Sequence, residues 1–489
     1  MRHRTLLYVS VTLLQLTAPL AAGSARAASL ARPLDPVVLV GSDLPSLLGL
    51  DPGDLVAFRY QGAWVQIPVQ VDESHVVTFE QVYDMILNAP LPTLAYSDPG
   101  THTGADPDAT FDSDDELAFM ARDAGDAAPT VPPVGTVAGS GLELEITDSL
   151  DAGVGYVYLF ESDGSLSPDA GADYVDYQFD LVAGVYPDDY DLANGPNPED
   201  SRVTTTRYES HFSDRWIHDE MRITAGTASG VDILDRHRNI FAPGVCSRSE
   251  DTFSDGEGAF FANIDGPVRA IRSYMGANSG PITQRRHVFY EGRQDIDTFL
   301  RVHQIGGMLD LFDLSSAAIG MTYYDSYNSG GVTVDGVPDV ISPGVPVWSL
   351  VTGPQGSLVV AATIDTDVSS TITSYYDDDV TPAFTQCTGD SAEYAQSGAW
   401  VTSTIPNTDP LLGAANFFTG SRTVYYEEPG SSVVEAQARY DQATTPLDVV
   451  ITPLPEPVFS GQLLAGVGLL GLLERVRPRH GRRRALDEH

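Results

Sequence analysis

Residues 63–71 read Ala-Trp-Val-Gln-Ile-Pro-Val-Gln-Val, and this stretch decides the fold class. In an extended chain successive side chains point to opposite faces, so Val65, Ile67 and Val69 share one apolar face. Similar short runs rich in Val, Tyr, Phe, Ile and Thr recur along the chain. Gly, Pro, Asp and Asn bound these runs, and helical periodicity is scarce. The pattern predicts an all-β protein of antiparallel sheets, arranged as sandwiches or barrels.

A proline-rich stretch interrupts this pattern early in the chain. Residues 127–137 contain Pro129, Pro132 and Pro133 among small residues, a composition typical of a stiff linker. The sequence therefore predicts a small N-terminal β domain over residues 28–126 and a large β-sandwich region over residues 138–452. The large region has room for one two-sheet domain or for two smaller ones.

The two signs of charge are very unequally represented. The 489 residues include 68 acidic and 27 basic side chains, a net charge of −41, and all 27 basic residues are arginine. So negative a chain disfavours DNA, RNA and anionic lipid surfaces as partners, because phosphate contacts need clustered cations. A chain without lysine also cannot use Schiff-base chemistry or a lysine base.

The N-terminus has the three parts of a secretory signal peptide. Arg2 and Arg4 precede an apolar run over residues 6–21, and small residues follow, ending in Ala25-Arg26-Ala27. A charged start, a short apolar stretch and an A-x-A site predict cleavage between Ala27 and Ala28. We expect residues 1–27 to be removed as the chain is exported.

The C-terminus, residues 453–489, has a second apolar segment. Pro455-Glu456-Pro457 is followed by sixteen uncharged residues, 458–473, and then by six arginines. Sixteen helical residues would span ~24 Å, and the arginines would hold their end on the cytoplasmic side of a membrane. This order resembles the PEP-CTERM sorting tail of bacterial exported proteins, except for five additional residues after the arginines.

The resemblance implies a location and a sorting partner. A membrane-embedded exosortase would cut near the Pro-Glu-Pro and pass the protein to the cell surface or extracellular matrix. Before that step a short transmembrane helix would anchor the chain transiently in the inner membrane. A permanent single-span anchor is the alternative. Members of the family differ in function, so the tail does not predict chemistry.

Cys246 and Cys387 are the only cysteines of the sequence. In an oxidising compartment they could form a disulfide, and closing so long a loop could contribute ~4–5 kcal/mol on the chain-entropy model. Two separate thiols are the alternative. Neither cysteine lies in a motif typical of a catalytic nucleophile.

Residues 106–116 contain six carboxylates in eleven positions. Loops of alternating aspartate can supply the oxygen ligands that calcium prefers. The spacing does not match an EF-hand loop, and a solvated acidic turn before the next strand is the alternative. Calcium is the one cofactor that we expect. Its candidate ligands are Asp112, Asp114, Asp115 and Glu116.

Positive charge is concentrated in one window of the chain. Of the 18 arginines between residues 29 and 457, 13 lie between Arg202 and Arg301, and five of seven histidines lie between His211 and His303. Guanidinium groups pair with uronate carboxylates, and His or Tyr can take a proton beside such a group. The candidate catalytic residues are His287, Tyr290 and His303, and the candidate substrate-binding residues are Arg269, Arg286, Arg301 and Trp216.

Two short segments carry a second resemblance. Gly266-Pro267-Val268-Arg269-Ala270 is similar to segments of the galactose-mutarotase-like supersandwich domains found beside polysaccharide lyases. Residues 63–71 are loosely similar to the small barrel that precedes such domains. The resemblance implies a carbohydrate-facing groove in which Arg, His and Tyr are the working residues, although no family's catalytic residues match position by position.

Two functions follow as hypotheses. In the first, an exported, surface-sorted protein binds or processes an extracellular, anionic polysaccharide, as a lyase or a glycosidase-like enzyme if it is an enzyme. It requires one exposed groove that contains Arg286, His287, Tyr290, Arg301 and His303. In the second, a non-catalytic calcium-binding protein has a structural role in the matrix or envelope. A purely structural explanation of the window also stands, because its arginines can pair across strands with its 14 acids.

Overall fold

The computed structural model describes residues 26–84, 90–190, 192, 197–242, 246–382 and 388–455. Nearly all of the expected signal peptide and sorting tail lies outside the described residues. Within those ranges the chain is predominantly β, in antiparallel sheets, as the sequence predicts. None of the helices in the described ranges is long and apolar enough to cross a membrane.

Among the described residues, nine strands and one α-helix lie before residue 162, apart from three short 3-10 turns. They are β1 (Pro36–Val40), β2 (Leu55–Tyr60), β3 (Trp64–Ile67), β4 (Gln70–Asp72), β5 (Ser74–Thr78), α1 (Phe79–Tyr83), β6 (Pro92–Tyr96), β7 (Glu116–Met120), β8 (Leu142–Thr147) and β9 (Val154–Glu161). These strands are short and rich in β-branched and aromatic residues, which fit a pleated, half-buried surface.

The remaining strands and helices follow after a stretch of turns. They are β10 (Val175–Gln178), β11 (Ser201–Thr205), β12 (Tyr208–Asp214), β13 (Ile217–Ile223), β14 (Leu234–Phe241), α2 (Glu250–Ser254), β15 (Ala259–Ile264), β16 (Ala270–Ala277), β17 (Gly280–Phe289), β18 (Arg293–Phe299), β19 (Met308–Leu314), β20 (Thr322–Asp325), β21 (Asn328–Thr333), β22 (Trp348–Gly353), β23 (Gly356–Thr366), β24 (Ile372–Asp379), β25 (Glu393–Val401), β26 (Phe418–Glu427), α3 (Val433–Thr444) and β27 (Asp448–Pro453).

A small sandwich is formed by two sheets, one in the order β1-β7-β4 and the other in the order β27-β8-β9-β2-β3. In β8 the apolar Leu144 and Ile146 alternate with Glu143 and Glu145, so one face of the strand is buried and the other is charged. The apolar face packs in the same core as Phe119 of β7, which holds the two sheets together.

The proline-rich stretch 127–137 does not separate two domains, so the predicted boundary is wrong. β2, which precedes the stretch, pairs with β9, which follows it, and Leu55 and Phe58 lie opposite Glu161 and Tyr158. At the other end of the described chain β27 pairs with β8 along its whole length. The small sandwich therefore combines both ends of the described chain, and the large region is inserted between them.

In the large region, three sheets pack as two facing walls. One wall is a nine-stranded sheet in the order β15-β16-β17-β18-β26-β23-β22-β20-β21. The other consists of two four-stranded sheets, β10-β11-β12-β13 and β14-β19-β25-β24. Phe289 of β17, Phe212 of β12 and Phe312 of β19 belong to one core cluster, so both smaller sheets pack against the large one.

Two helices cover parts of the outer face of the nine-stranded sheet. On one side Ala436 of α3 packs with Leu350 and Tyr425. On the other side Phe79 of α1, which lies between β5 and β6, contacts the ring of Phe261 at 6.0 Å between centres. Outward-facing side chains of β17, β18 and β26 remain partly exposed on this sheet. The candidate functional site lies among them.

Candidate functional site

β17 directs its side chains alternately into the sandwich and out of it. Arg285 and His287 are buried, whereas the Arg286 side chain remains 32% exposed on the outer face. This is the alternation that an extended strand imposes. Arg286 and His287, which the sequence hypothesis placed in one groove, therefore lie on opposite faces of the nine-stranded sheet.

His287 is fully buried, and both of its ring nitrogens have partners. Nε2 lies 3.1 Å from the Tyr274 hydroxyl, and Nδ1 lies 2.9 Å from Nε2 of Gln294. Burial, together with the positive charge of Arg285, holds the imidazole pKa well below its usual range. A neutral imidazole enclosed in the core cannot reach a polysaccharide, so the expected role of His287 as a base is wrong.

Tyr290 and Arg269 are also inside the protein. Tyr290 is 3% exposed, and burial raises the pKa of its phenol against the opposing effect of Arg269. Arg269 donates from Nε to Asp72 at 2.8 Å and from Nη2 to Glu116 at 2.6 Å. These carboxylates belong to the small sandwich, so Arg269 joins the two sandwiches and is not a substrate contact.

Trp216 does not provide the stacking surface that the sequence suggested. The residue is 1% exposed, and its Nε1 donates to the backbone oxygen of Gly276 at 2.6 Å. The guanidinium carbon of Arg285 lies 4.9 Å from the centre of the Trp216 ring. The ring face is thus occupied by another core residue.

Several arginines of the window have structural roles in the core of the large sandwich. Arg272 is fully buried and donates to both carboxylate oxygens of Glu199, at 2.8 and 3.0 Å. Arg285 donates to Asp310 at 3.0 Å, also out of contact with solvent. Buried cations require such partners, because an unpaired charge in the interior is very unfavourable. The structural explanation of the window accounts for these residues.

Three residues come together on the outer face of the sheet, and we call them the Arg286–Phe299–Arg301 patch. The partly exposed ring of Phe299 lies between the two guanidinium groups, 5.9 Å from Cζ of Arg286 and 5.5 Å from Cζ of Arg301. Two further rings contact these guanidinium groups. The centre of the Tyr96 ring is 6.0 Å from Cζ of Arg286, and the centre of the Phe79 ring is 5.2 Å from Cζ of Arg301. An accessible ring between two cations combines stacking with ion pairing.

The two arginines of the patch have different partners. Arg286 donates to Asp297 at 2.7 Å, whereas Arg301 forms no ion pair with a carboxylate of the described residues. Arg301 donates instead to the backbone oxygen of Ile282 at 3.1 Å. Burial lowers the pKa of Arg301 to about 10, against a smaller opposing effect of Asp409. Arg301 is therefore a partly desolvated cation that an anionic ligand would stabilise.

His303 lies at the margin of the patch. Its side chain is partly exposed, and Nδ1 is 2.9 Å from the backbone oxygen of Gln304. Asp409, which acts on Arg301, also lies within electrostatic range of His303. Of the residues expected in one groove, the structure thus places Arg286, Arg301 and His303 on the accessible side and encloses His287 and Tyr290.

The four candidate calcium ligands do not converge on one point. The carboxylate of Asp115 is buried and accepts from the backbone nitrogens of Ser74 and Asp112, both at 2.8 Å, and Glu116 is paired with Arg269. A hydrogen bond between the Asp112 and Asp114 carboxyls raises the pKa of Asp114 to about 6. Among the described residues no group of three or more His, Cys, Asp or Glu side chains is placed to hold a metal ion.

Cys246 is disulfide-bonded, so it is not one of the two separate thiols that the sequence left as the alternative. It begins a short helical turn, Cys246–Arg248, that leads into α2. Cys387 lies outside the described residues, so the pairing of these two cysteines stays a prediction.

Sequence reasoning missed Phe299 and the ion pair between Arg422 and Asp310, which are 2.8 Å apart. The sequence does contain a pattern that indicates Phe299. The outward positions of β18 are Arg293, Asp295, Asp297 and Phe299, and Phe299 is the one apolar residue among them. Nothing comparable pointed to Arg422, since it lies far outside the arginine window and reaches Asp310 through folding alone.

The chain matches no protein-family model, and no curated protein matches it in sequence. Its function must therefore be inferred from its own residues. Among the accessible features of the described chain, the Arg286–Phe299–Arg301 patch has the most specific chemistry, because it presents charge and an aromatic face together.

Proposed function

We propose that the protein is an exported, non-catalytic carbohydrate-binding protein, sorted to the cell surface, where it binds an anionic polysaccharide. The observation that carries the proposal is the Arg286–Phe299–Arg301 patch. A sugar ring can stack on Phe299 while its carboxylate pairs with the guanidinium of Arg301, which forms no ion pair with a carboxylate of the described residues.

Binding, and not catalysis, is the role that the patch supports. General acid–base chemistry needs a titratable group within hydrogen-bond reach of the reacting atom. His287 and Tyr290 are enclosed in the core, and the arginines of the patch are always protonated at neutral pH. The patch can hold and orient an acidic sugar, but of the three groups expected to move a proton only His303 lies near it, at its margin.

The charge of the whole chain makes this proposal specific. A net charge of −41 repels a polyanion, so non-specific attraction cannot account for binding to an acidic polysaccharide. Any such binding must arise from a local group of cations. Because Arg301 lacks an ion pair while Arg286 keeps one, we expect Arg301 to contribute more of the affinity.

The test compares binding of purified protein to immobilised polygalacturonate and to neutral dextran. Replacing Arg301 by Gln should weaken polygalacturonate binding about 10-fold or more, since a hydrogen bond to a charged group contributes ~1.5–3 kcal/mol. Phe299→Ala should have a similar effect. Arg202→Gln is the matched control, because it removes the same charge from an arginine that is 42% exposed and lies on β11, away from the patch.

Two results would contradict the proposal. One is the absence of saturable binding by the wild-type protein to polygalacturonate, alginate or any other uronate polymer. The other is an Arg301→Gln protein that binds as tightly as the Arg202→Gln protein. The location is tested separately: protein recovered from the cell surface should begin near Ala28 and end near Pro457, as measured by intact mass.

Calcium binding in a structural matrix protein is the second candidate, and one observation favours it. A hydrogen bond to the Asp112 carboxyl, together with burial, raises the pKa of the Asp114 carboxyl to about 6. A divalent cation bound between the two carboxylates would relieve the repulsion between them. Millimolar calcium should then raise the thermal midpoint at pH 7.5, and Asp112→Asn should abolish the effect. An unchanged midpoint in calcium and in chelator would exclude this candidate.

A further inference from the structure

A narrow slot runs inside the large sandwich, on the face of the nine-stranded sheet opposite to the patch. It lies between the inner side chains of β23 and β26 and those of β19 and β25. It contains about 970 Å³ of atom-free space, which includes gaps between side chains and some open solvent. About 70 Å³ of this space is wide enough to admit water. Its lining is mostly apolar, including Phe312, Leu314, Val401 and Phe418.

The slot is elongated along the strands. On β23 it extends from Leu358 to Ile364, with Val360 and Ala362 between them on the same face. At ~3.3 Å per residue, this distance is about 20 Å. A space of this length and small width fits a single hydrocarbon chain better than a sugar, whose polar edges would find few partners in it.

The charged groups at the slot do not balance. Asp310 and Arg422 line the slot, 2.8 Å apart, and Arg285 reaches the other oxygen of Asp310 at 3.0 Å from behind. His237, 2.9 Å from Asp310, is neutral because burial lowers its pKa to about 3. Two guanidinium groups thus face one carboxylate, which leaves one positive charge in a largely apolar space.

A loop with exposed apolar side chains forms part of the lining of the slot. Val345 and Pro346 belong to the lining, and the backbone oxygen of the next residue, Val347, accepts from Ala362 at 3.1 Å. In the same loop Val337 is 61% and Val340 is 99% exposed. Exposed apolar groups on a loop that also lines an apolar slot form a surface that an amphiphile can contact.

We propose that this slot is a binding site for a single-chain anionic amphiphile, a long-chain carboxylate whose head group pairs with Arg422 and whose hydrocarbon chain lies between the two walls. The narrow apolar shape selects the chain, and the uncompensated positive charge selects the anionic head. The site is independent of the patch on the outer face, so either can fail without the other.

Gly420 offers a direct way to block the slot. It lies two residues before Arg422 on the same face of β26, and a Cβ added to it would meet no atom within 4 Å. Because the Cβ itself meets no atom, Gly420→Leu would add a side chain on the slot side of β26. Gly330→Leu is the matched control, because Gly330 has the same open surroundings on the exposed strand β21.

The experiment measures palmitate binding to the full chain by isothermal titration calorimetry, in the absence of detergent. The wild type and Gly330→Leu should bind one palmitate per chain, and Gly420→Leu should bind at least 10-fold more weakly while its thermal midpoint is not lowered. Arg422→Gln should weaken binding of palmitate but not of hexadecanol, which has the same chain without the charge. This second variant keeps the test valid if Gly420→Leu does not fold.

Three outcomes would overturn the proposal. The first is no saturable palmitate binding by the wild-type chain. The second is a folded Gly420→Leu protein that binds palmitate as the control does. The third is an Arg422→Gln protein whose preference for palmitate over hexadecanol is unchanged, since the charge at Arg422 would then play no part in recognition.

Discussion

The buried pair of Arg272 and Glu199 gives the sharpest test of the structural role of the arginine window. Both side chains are fully buried, and the guanidinium makes two hydrogen bonds to the carboxylate, at 2.8 and 3.0 Å. The ring centres of Phe212 and Phe260 lie 4.4 and 5.0 Å from the Cζ atom of Arg272. Replacing Glu199 by Gln keeps the shape of the side chain but leaves the guanidinium without its counter-charge.

The expected cost follows from this burial. Removing one partner of a buried ion pair costs about 3–5 kcal/mol of the free energy of unfolding, because the remaining charge stays desolvated. Gln can still accept one hydrogen bond, so we expect a loss near ~3 kcal/mol. The surface pair of Arg202 and Glu220 is the contrast, since its side chains are 42% and 17% exposed, and Glu220→Gln should cost under about 1 kcal/mol.

Equilibrium unfolding in urea, followed by circular dichroism, measures both variants against the wild type. A second comparison separates charge from packing: Glu199→Met together with Arg272→Met should be less destabilising than Glu199→Met alone, because the double variant leaves no unpaired charge. The reasoning is refuted if Glu199→Gln costs no more than Glu220→Gln. The arginines of the window would then not depend on their internal partners.

Three further variants test the buried carboxyl of Glu393, the N-terminal cap of α3 and the closing strand β27. Burial and the nearby Asp377 raise the pKa of Glu393 to about 9, so between pH 4.5 and 9 the folded state keeps a proton that the unfolded state loses, and stability falls as the pH rises. Glu393→Gln should make the urea midpoint fall less over this pH range. Equal falls of the midpoint with pH in the variant and the wild type would contradict this. Ser432→Ala removes the cap that accepts from Glu435 at 3.3 Å, and should cost about 1 kcal/mol in urea unfolding; no measurable loss would mean that α3 does not depend on this cap. A chain that ends at residue 447 lacks β27 and should bind a fluorescent dye for exposed apolar surface; unchanged dye binding would show that β27 does not close the small sandwich.

The fold class was predictable because strand alternation is a local property. The period-two pattern in β8 and the division of β17 into inward and outward positions follow from successive side chains alone. The domain boundary was not predictable in this way. The pairing of β2 with β9, and of β8 with β27, joins residues far apart in sequence, and composition at 127–137 says nothing about such pairs.

The candidate site was predicted in part, and burial explains the difference. Arg286 and Arg301 were selected from the arginine window, and both lie in the patch. His287 was selected from the same window, but one step along the strand places it in the core. Charge and residue type identify groups able to bind an anionic sugar. Which wall a side chain faces depends on the second sheet, and no local pattern reveals that sheet.

The pairing of β27 with β8 has a consequence for how the protein forms. β8 ends at residue 147, whereas its neighbour begins at residue 448, so about three hundred residues must be synthesised before the edge of β8 is covered. Long-range pairing of this kind is slow, and an open strand edge invites contact with other chains. The edge of β8 in the small sandwich therefore has no partner until residues 448–453 have been synthesised, and the small sandwich is completed after the large region that interrupts it.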